Sequence, residues 1–225
     1  SSAVPGHYEE QQLCGVLDKL RVPLLVHQGN TLFEEHQLPF ARGNLPRHFT
    51  PFRQQLETLS VNTPLPAPRQ LPPPPKGLSF PLQPASKTIP HPAFPMRGGG
   101  SEGLRRLRHW MFERRRVTDY KQTRNYLDGL EGSSVLSPWL ANGALSVRRV
   151  AQQLFAFEET DLKNESTRWL YQELLWREFF HWRAINDGPR LFCASGIIGK
   201  KQLRTFEARD FAQSSKGDTD CAFVN

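Results

Sequence analysis

Apolar positions recur along this chain at helical spacing in five places. Over residues 9–21, Leu13, Val16, Leu17 and Leu20 stand at i, i+3, i+4 and i+7 and predict an amphipathic helix. Residues 22–27 (Val-Pro-Leu-Leu-Val-His) form instead a short apolar run with β-branched members, closed by Gly29, and predict a buried strand. Thr50-Pro51 opens a second helix with Phe52, Leu56 and Leu59 on one side. A third, over 104–117, turns Leu104, Leu107, Trp110 and Met111 inward and its arginines outward, and a fourth, over 147–157, buries Val147, Val150, Ala151, Leu154 and Phe155. In the fifth, over 164–183, Leu170, Glu173, Trp176, Arg177 and Phe180 fall within one sector of about 120°. Leu175, Phe179 and Trp182 make a second apolar stripe, so this helix is expected to be buried on more than one side.

Between the second and third helices the pattern stops. Twelve of the nineteen prolines lie in residues 60–96, which reads as an extended connector ending at Gly98-Gly99-Gly100. One strand and two helices ahead of it cannot close a sheet, since the strand lacks neighbours. The expected fold is therefore mainly α, with an N-terminal piece of an α/β layer.

The formal charge of +7 becomes informative once it is located. Residues 104–124 hold eight basic side chains against Glu113 and Asp119, a local +6 that suits a polyanion, although a solvated helix face produces the same pattern. Three cysteines, far apart and in no Cys-x-x-Cys pair, argue for reduced thiols in a cytoplasmic setting and against a disulfide frame. No histidine or cysteine spacing suggests a metal, and no apolar run approaches a membrane span. The start at Ser1, without methionine or leader, suggests a chain that begins inside a longer parent.

Candidate chemistry concentrates in residues 119–146. Ser137 followed by Pro138 predicts an N-cap with proline at N1, Gly143 closes that short helix, and Ser146 caps the next. Gly132, Ser133, Ser134 and Ser137 thus crowd a helix entrance, where free N–H groups, the helix dipole and hydroxyls suit a phosphate or diphosphate. Plain capping and turn formation is the rival reading. Glu173 and Arg177, at i and i+4, form the second candidate: an ion pair on an apolar helix beside Trp176, either structural or functional.

Tyr120, Arg124 and the run Gly-Ser-Ser-Val-Leu-Ser-Pro-Trp-Leu-Ala-Asn-Gly-Ala-Leu-Ser over 132–146 resemble the flavin-binding loop of the photolyase/cryptochrome family, closest to its DASH branch. Glu-Leu-Leu-Trp-Arg-Glu-Phe-Phe over 173–180 is similar to that family's substrate-facing helix. The resemblance implies FAD as cofactor, held by Tyr120, Ser133, Ser134, Val135, Leu136, Ser137, Leu170 and Arg177. It also implies that Glu173 and Trp176 face a cyclobutane pyrimidine dimer, and that Arg124, Glu173, Trp176, Arg177 and Phe180 contact DNA, preferentially single-stranded. Removing a lesion from the stack costs a few kcal/mol, which an aromatic face and a carboxylate partly offset. The segments 29–33, 38–40 and 49–53 resemble the end of the family's Rossmann-like antenna domain, which implies a folate antenna in the longer parent.

Three domains follow from the resemblance: 1–59 as the end of the α/β antenna domain, 60–100 as linker, and 101–225 as the first half of an all-helical FAD-binding domain. Several residues depart from the family. Val135 replaces a polar residue of the loop, Ser214 and Ala222 replace a tryptophan and a proline, and no tryptophan follows Trp182. Three functions remain open: light-driven dimer repair, a non-catalytic nucleic-acid-binding remnant, and a blue-light photoreceptor without repair activity.

Overall fold

The computed structural model describes residues 4–25, 27, 29–41, 43–73, 77, 95–126, 129–193, 195–199 and 208–216, with the side chains of 4–11 and 208–211 outside the description. Among the described residues eight α-helices run in the order α1 (Val4–Leu20), α2 (Phe49–Leu56), α3 (Gly100–Arg108), α4 (Tyr120–Thr123), α5 (Ser137–Ala141), α6 (Val147–Thr160), α7 (Glu165–Asp187) and α8 (Ala208–Lys216). A π-helical turn, His109–Glu113, continues α3, and a 3-10 turn, Arg116–Asp119, leads into α4. Residues 1–186 form one compact unit; residues 187–225, with a 3-10 turn at Gly188–Phe192 and α8, form a second.

The predicted strand is absent. Residues 22–25 have no regular structure, Leu25 is 79% exposed, and Val26 lies outside the described residues. A lone strand leaves its N–H and C=O groups unpaired, and no other strand occurs among the described residues to pair with it. Among the described residues the fold is accordingly mainly helical, and the strand of the α/β layer expected at the N-terminus is not seen there. Of the proline-rich connector, residues 60–73 lack regular structure and are largely exposed; most of its remainder lies outside the described residues.

The core of the first unit surrounds α7. Leu170, Leu174, Leu175, Phe179 and Trp182 are buried: the second predicted stripe is buried throughout, whereas of the first only Leu170 is, with Trp176 and Phe180 exposed. The packing partners are Val147, Val150, Ala151, Leu154 and Phe157 from α6, Phe52 and Leu56 from α2, and Trp110 and Met111 from the π turn. Each large side chain fully removed from water contributes about 1.5–3 kcal/mol. In α6 Phe157 takes the fully buried place predicted for Phe155, which is half-buried against the edge of Tyr171. Asn164 caps α7: its Oδ1 accepts from the Thr167 amide at 2.9 Å, and its own amide donates to Thr167 Oγ1 at 3.1 Å.

The irregular segment 30–34 is locked onto this scaffold by three charged side chains. Arg177 donates to the carbonyl and to Oδ1 of Asn30, each at 2.7 Å. Arg148 donates to the Thr31 carbonyl at 2.9 Å and pairs with Glu34 at 3.1 Å. Glu178, fully buried, accepts the amides of Leu32 (2.8 Å) and Phe33 (3.2 Å) and the Trp182 indole N–H (2.7 Å). Buried backbone donors without strand partners thus find a carboxylate instead. Burial pushes the Glu178 carboxyl above its ordinary range, and the bonds from Leu32, Trp182 and Phe33 restrain that rise.

Candidate functional site

The turn between α4 and α5 is built from behind. Arg106 lies on the same side of α3 as Leu107 and is 6% exposed, whereas Leu104 is 46% exposed; the predicted orientation of these two is reversed. The face that points inward runs through Gly103, Arg106, Leu107 and Trp110, and a Cβ on Gly103 would meet the Trp139 ring at 3.0 Å. From this face the Arg106 guanidinium donates to the carbonyls of Leu130, Ser133 (3.1 Å) and Ser134 (3.1 Å) and pairs with the Glu131 carboxylate at 3.0 Å. Trp110 Nε1 donates to the Glu131 carbonyl at 3.2 Å, and Thr123 Oγ1 to that of Gly132 at 2.7 Å. Glu131 feels two opposed effects. Burial pushes its carboxyl up, but the Arg106 guanidinium, with His109 and Arg114, leaves it below the usual range.

Ser133, Ser134 and Val135 are half-buried, Leu136 is buried and Ser137 is exposed. Val135 has φ +52°, a left-handed conformation unusual for a β-branched residue and of the kind that concentrates at functional turns. Ser137 is the first residue of α5 rather than its cap; Leu136 holds the cap position and no side chain caps the helix. Ser146 does occupy the cap of α6, also without a side-chain bond, and Gly143 closes α5 with φ +74°. With five residues, α5 has too few aligned peptides for its dipole to matter much, so anion affinity here rests on the turn itself.

Tyr120 and Arg124 join this turn to α7. Tyr120 is 9% exposed and meets the edge of Trp110 with ring centroids 5.5 Å apart. Burial, aided by the Glu173 charge, pushes its phenol up to about 12. Arg124 pairs with Glu173 at 2.7 Å, and Trp169 Nε1 donates to the same carboxylate oxygen at 2.9 Å. Two cations lie over the Trp169 ring: Arg124 at 4.9 Å and Lys121 at 5.3 Å from its centroid.

Glu173 therefore takes Arg124 as partner, and the expected Glu173–Arg177 pair does not form. Arg177 is bound to Asn30 and, at 3.4 Å, to the Leu140 carbonyl, which places it in the scaffold. Burial pulls its guanidinium below the usual value, an effect the Glu178 charge opposes. Trp176 is 38% exposed and stacks on Phe49 of α2 at 3.6 Å, 13° from parallel, and on Phe180 at 5.6 Å. Phe180 is 61% exposed and Leu170 is buried in the core. Tyr120, Arg124, Glu173 and the serine-bearing turn are thus brought together, with Trp176 one helical turn beyond Glu173 on α7.

Four residues of this arrangement escaped sequence reasoning. Arg106 and Trp110, at i and i+4 with Gly103 on the same side, carried a signal that the Leu104 assignment hid. Phe49 carried none, since its role comes from Trp176, distant in the chain. Trp169 stands at i, i+4 to Glu173, a signal that the Glu173–Arg177 reading hid, and only its cation contacts with Lys121 and Arg124 are distant. A separate cavity of about 450 Å³, lined by Leu38, Phe40, Leu45, Trp182 and Ile185, contains none of the predicted site residues. Among the described residues there is no His/Cys/Asp/Glu cluster suited to a metal, and no helix long and apolar enough to cross a membrane.

No family model matches the chain. It is 40% identical over 223 residues to a cryptochrome DASH of Idiomarina loihiensis, covering 98% of this chain and 49% of that protein. With a cryptochrome DASH of Vibrio parahaemolyticus it shares 38% identity over 226 residues, 100% of this chain and 50% of that one. The crystal structure of a Synechocystis sp. PCC6803 cryptochrome superposes with a TM-score of 0.86 at 34% identity, covering 96% of this chain and 46% of the other. The chain spans about half the length of the relatives it matches. Over that span it belongs to the photolyase/cryptochrome family, in its DASH branch.

Proposed function

We propose that this chain contributes one wall of an FAD site and a DNA-facing surface for light-driven repair of cyclobutane pyrimidine dimers, preferentially in single-stranded DNA. The observation that supports the reading is the Arg124–Glu173 pair, which ties the end of α4, itself bonded to the turn through Thr123, to α7, the helix that bears Glu173 and Trp176. The residues fit the cofactor's diphosphate. Among the described residues, the hydroxyls of Ser133, Ser134 and Ser137 make no hydrogen bond, while the carbonyls of the turn are already taken from behind. When bound, FAD would supply the light-driven electron. The protein's part is to hold the diphosphate with the turn, to cover the cofactor with Tyr120, and to receive the lesion with Glu173 and Trp176. Arg124 and Lys121 would bind the phosphates.

The same reading assigns 1–59 to an antenna domain, 60–100 to a linker and 101–225 to the FAD-binding domain. A folate antenna in the longer parent and a reducing, cytoplasmic setting go with it; Cys14 and Cys193 are free thiols. The rival, a basic nucleic-acid-binding remnant, draws on the exposed Arg105, Arg108, Arg115 and Arg116. All four have carboxylate neighbours, Glu102, Glu113, Asp161 and Glu131, as Arg124 and Lys121 have Glu173 and Glu165, so pairing lowers the net field in either reading.

Reconstitution with FAD followed by a repair assay separates the readings. A flavin absorption band and light-dependent loss of dimers from single-stranded DNA are expected. Salt-sensitive binding with no preference for dimers and no flavin band would select the remnant.

A further inference from the structure

Five consecutive carbonyls, those of residues 130–134, each accept a hydrogen bond from a side chain behind the turn: Arg106 supplies three, Trp110 one and Thr123 one. Among the described residues, no amide of the turn donates a hydrogen bond in return. Irregular backbone ordinarily uses donors and acceptors alike, so a run with every acceptor taken and every donor open is biased toward anions. Arg106 causes most of the bias. It uses four of its N–H donors on this one turn, and its pair with Glu131 fixes the guanidinium in the orientation the carbonyls require.

We infer that Arg106 is the positioning residue of the diphosphate-binding turn: it binds the carbonyl side of residues 130–134 so that their amides and the Ser133 and Ser134 hydroxyls stay open to a diphosphate. Arg106 touches no ligand itself. The inference rests on the FAD reading proposed above and deepens it. Lysine at this place keeps the charge but lacks the planar fork, and its single ammonium cannot serve Nε and both terminal nitrogen positions at once. A turn released from Arg106 regains the option of pairing its own N–H and C=O groups, and the donor bias is lost. Thr123 acts in the same way on the Gly132 carbonyl, with one bond instead of four.

The test compares the 225-residue chain with Arg106→Lys, Arg106→Gln and Thr123→Val. FAD, which has a diphosphate, is titrated beside riboflavin, which has none, and amide hydrogen exchange is read without ligand. The Arg106 variants are expected to weaken FAD binding about tenfold or more while riboflavin binding stays within about twofold. Exchange in residues 130–136, whose amides are unbonded in the parent, should slow by about tenfold as the released amides pair with the freed carbonyls, with α6 and α7 still protected. Thr123→Val, which removes no buried charge, should show the same pattern at about threefold and decides the matter where an Arg106 variant fails to fold. Unchanged FAD affinity, an equal loss of riboflavin, or unchanged exchange in the turn would overturn the inference. A parent chain that binds neither flavin would instead overturn the cofactor reading, leaving the exchange data to decide whether Arg106 holds the turn.

Discussion

Arg124 and Glu173, 49 positions apart, meet at 2.7 Å, and each also engages Trp169: Arg124 over its ring, Glu173 as acceptor of its indole N–H. Both charged side chains are about one-third exposed. The pair therefore lies between a screened surface contact and a buried one, and its stability contribution stays near the surface range of about 1 kcal/mol or less.

That modest worth makes stability and function separable. Glu173→Gln is expected to lower the unfolding free energy from urea melts by no more than about 1 kcal/mol, yet to weaken binding of dimer-containing single-stranded DNA about tenfold relative to undamaged DNA. Arg124→Gln should weaken both DNAs alike and reduce the slope of log K against log salt by about 1. Paired melts and salt titrations check both outcomes.

The turn tolerates little added bulk at Gly132. A Cβ there would lie 2.9 Å from the Thr123 carbonyl and 3.2 Å from Tyr126 Cβ. Since the clash is with backbone, Gly132→Ala must move the end of α4 or the turn. A loss of about 1–3 kcal/mol in stability, with FAD affinity reduced, is the expected result. Val135 offers the opposite change. Its φ of +52° disfavours a β-branched residue, so Val135→Asn, better suited to that conformation, should gain up to about 1 kcal/mol in thermal unfolding.

Helical periodicity made α2, α6 and α7 legible, because their buried faces repeat within a dozen residues and their caps, Ser146 and Asn164, are local. The serine-bearing turn was legible as a motif. What escaped was every feature set by a distant partner. Glu173 and Arg177 looked like mates at i, i+4, but Arg124 and Asn30 offered each a better-placed group. Arg106 looked like one of eight surface charges until the carbonyls of 130–134 gave it a reason to be buried. The strand expected at residues 22–27 failed for a related reason: a strand exists only through its neighbours.

Tyr120 and Tyr171 supply a spectroscopic check on the packing around α7. Burial pushes each phenol up to about 12, with the negative charges of Glu173 and Glu178 adding to the effect at Tyr120 and Tyr171 respectively. Both folded values exceed the ordinary value of 10, so the stability they contribute is full below pH 10 and is lost as pH rises toward about 12. Phenolate absorbance in a pH titration should show these two tyrosines ionising late. Tyr120→Phe should remove one late-ionising signal and leave the other in place.

Glu178 gives the sharpest prediction on stability, because its carboxylate has no exposure and satisfies three donors at once. Glu178→Ala leaves the Leu32 and Phe33 amides and the Trp182 indole unpaired in the core and should cost about 3–5 kcal/mol. Glu178→Gln retains an acceptor oxygen and should cost less. The pH dependence has a definite sign. Burial raises the folded carboxyl above its ordinary 4.5, so the fold prefers the protonated acid. That contribution is full below about pH 4.5 and is lost as pH rises through the raised folded value. Glutamine has no such titration, and the stability gap between parent and Glu178→Gln should therefore narrow from pH 5 to pH 8. Urea melts of both proteins at several pH values measure the gap; one that widens over this range would mean that the three donors, together with Arg177, hold the carboxylate ionised in spite of its burial.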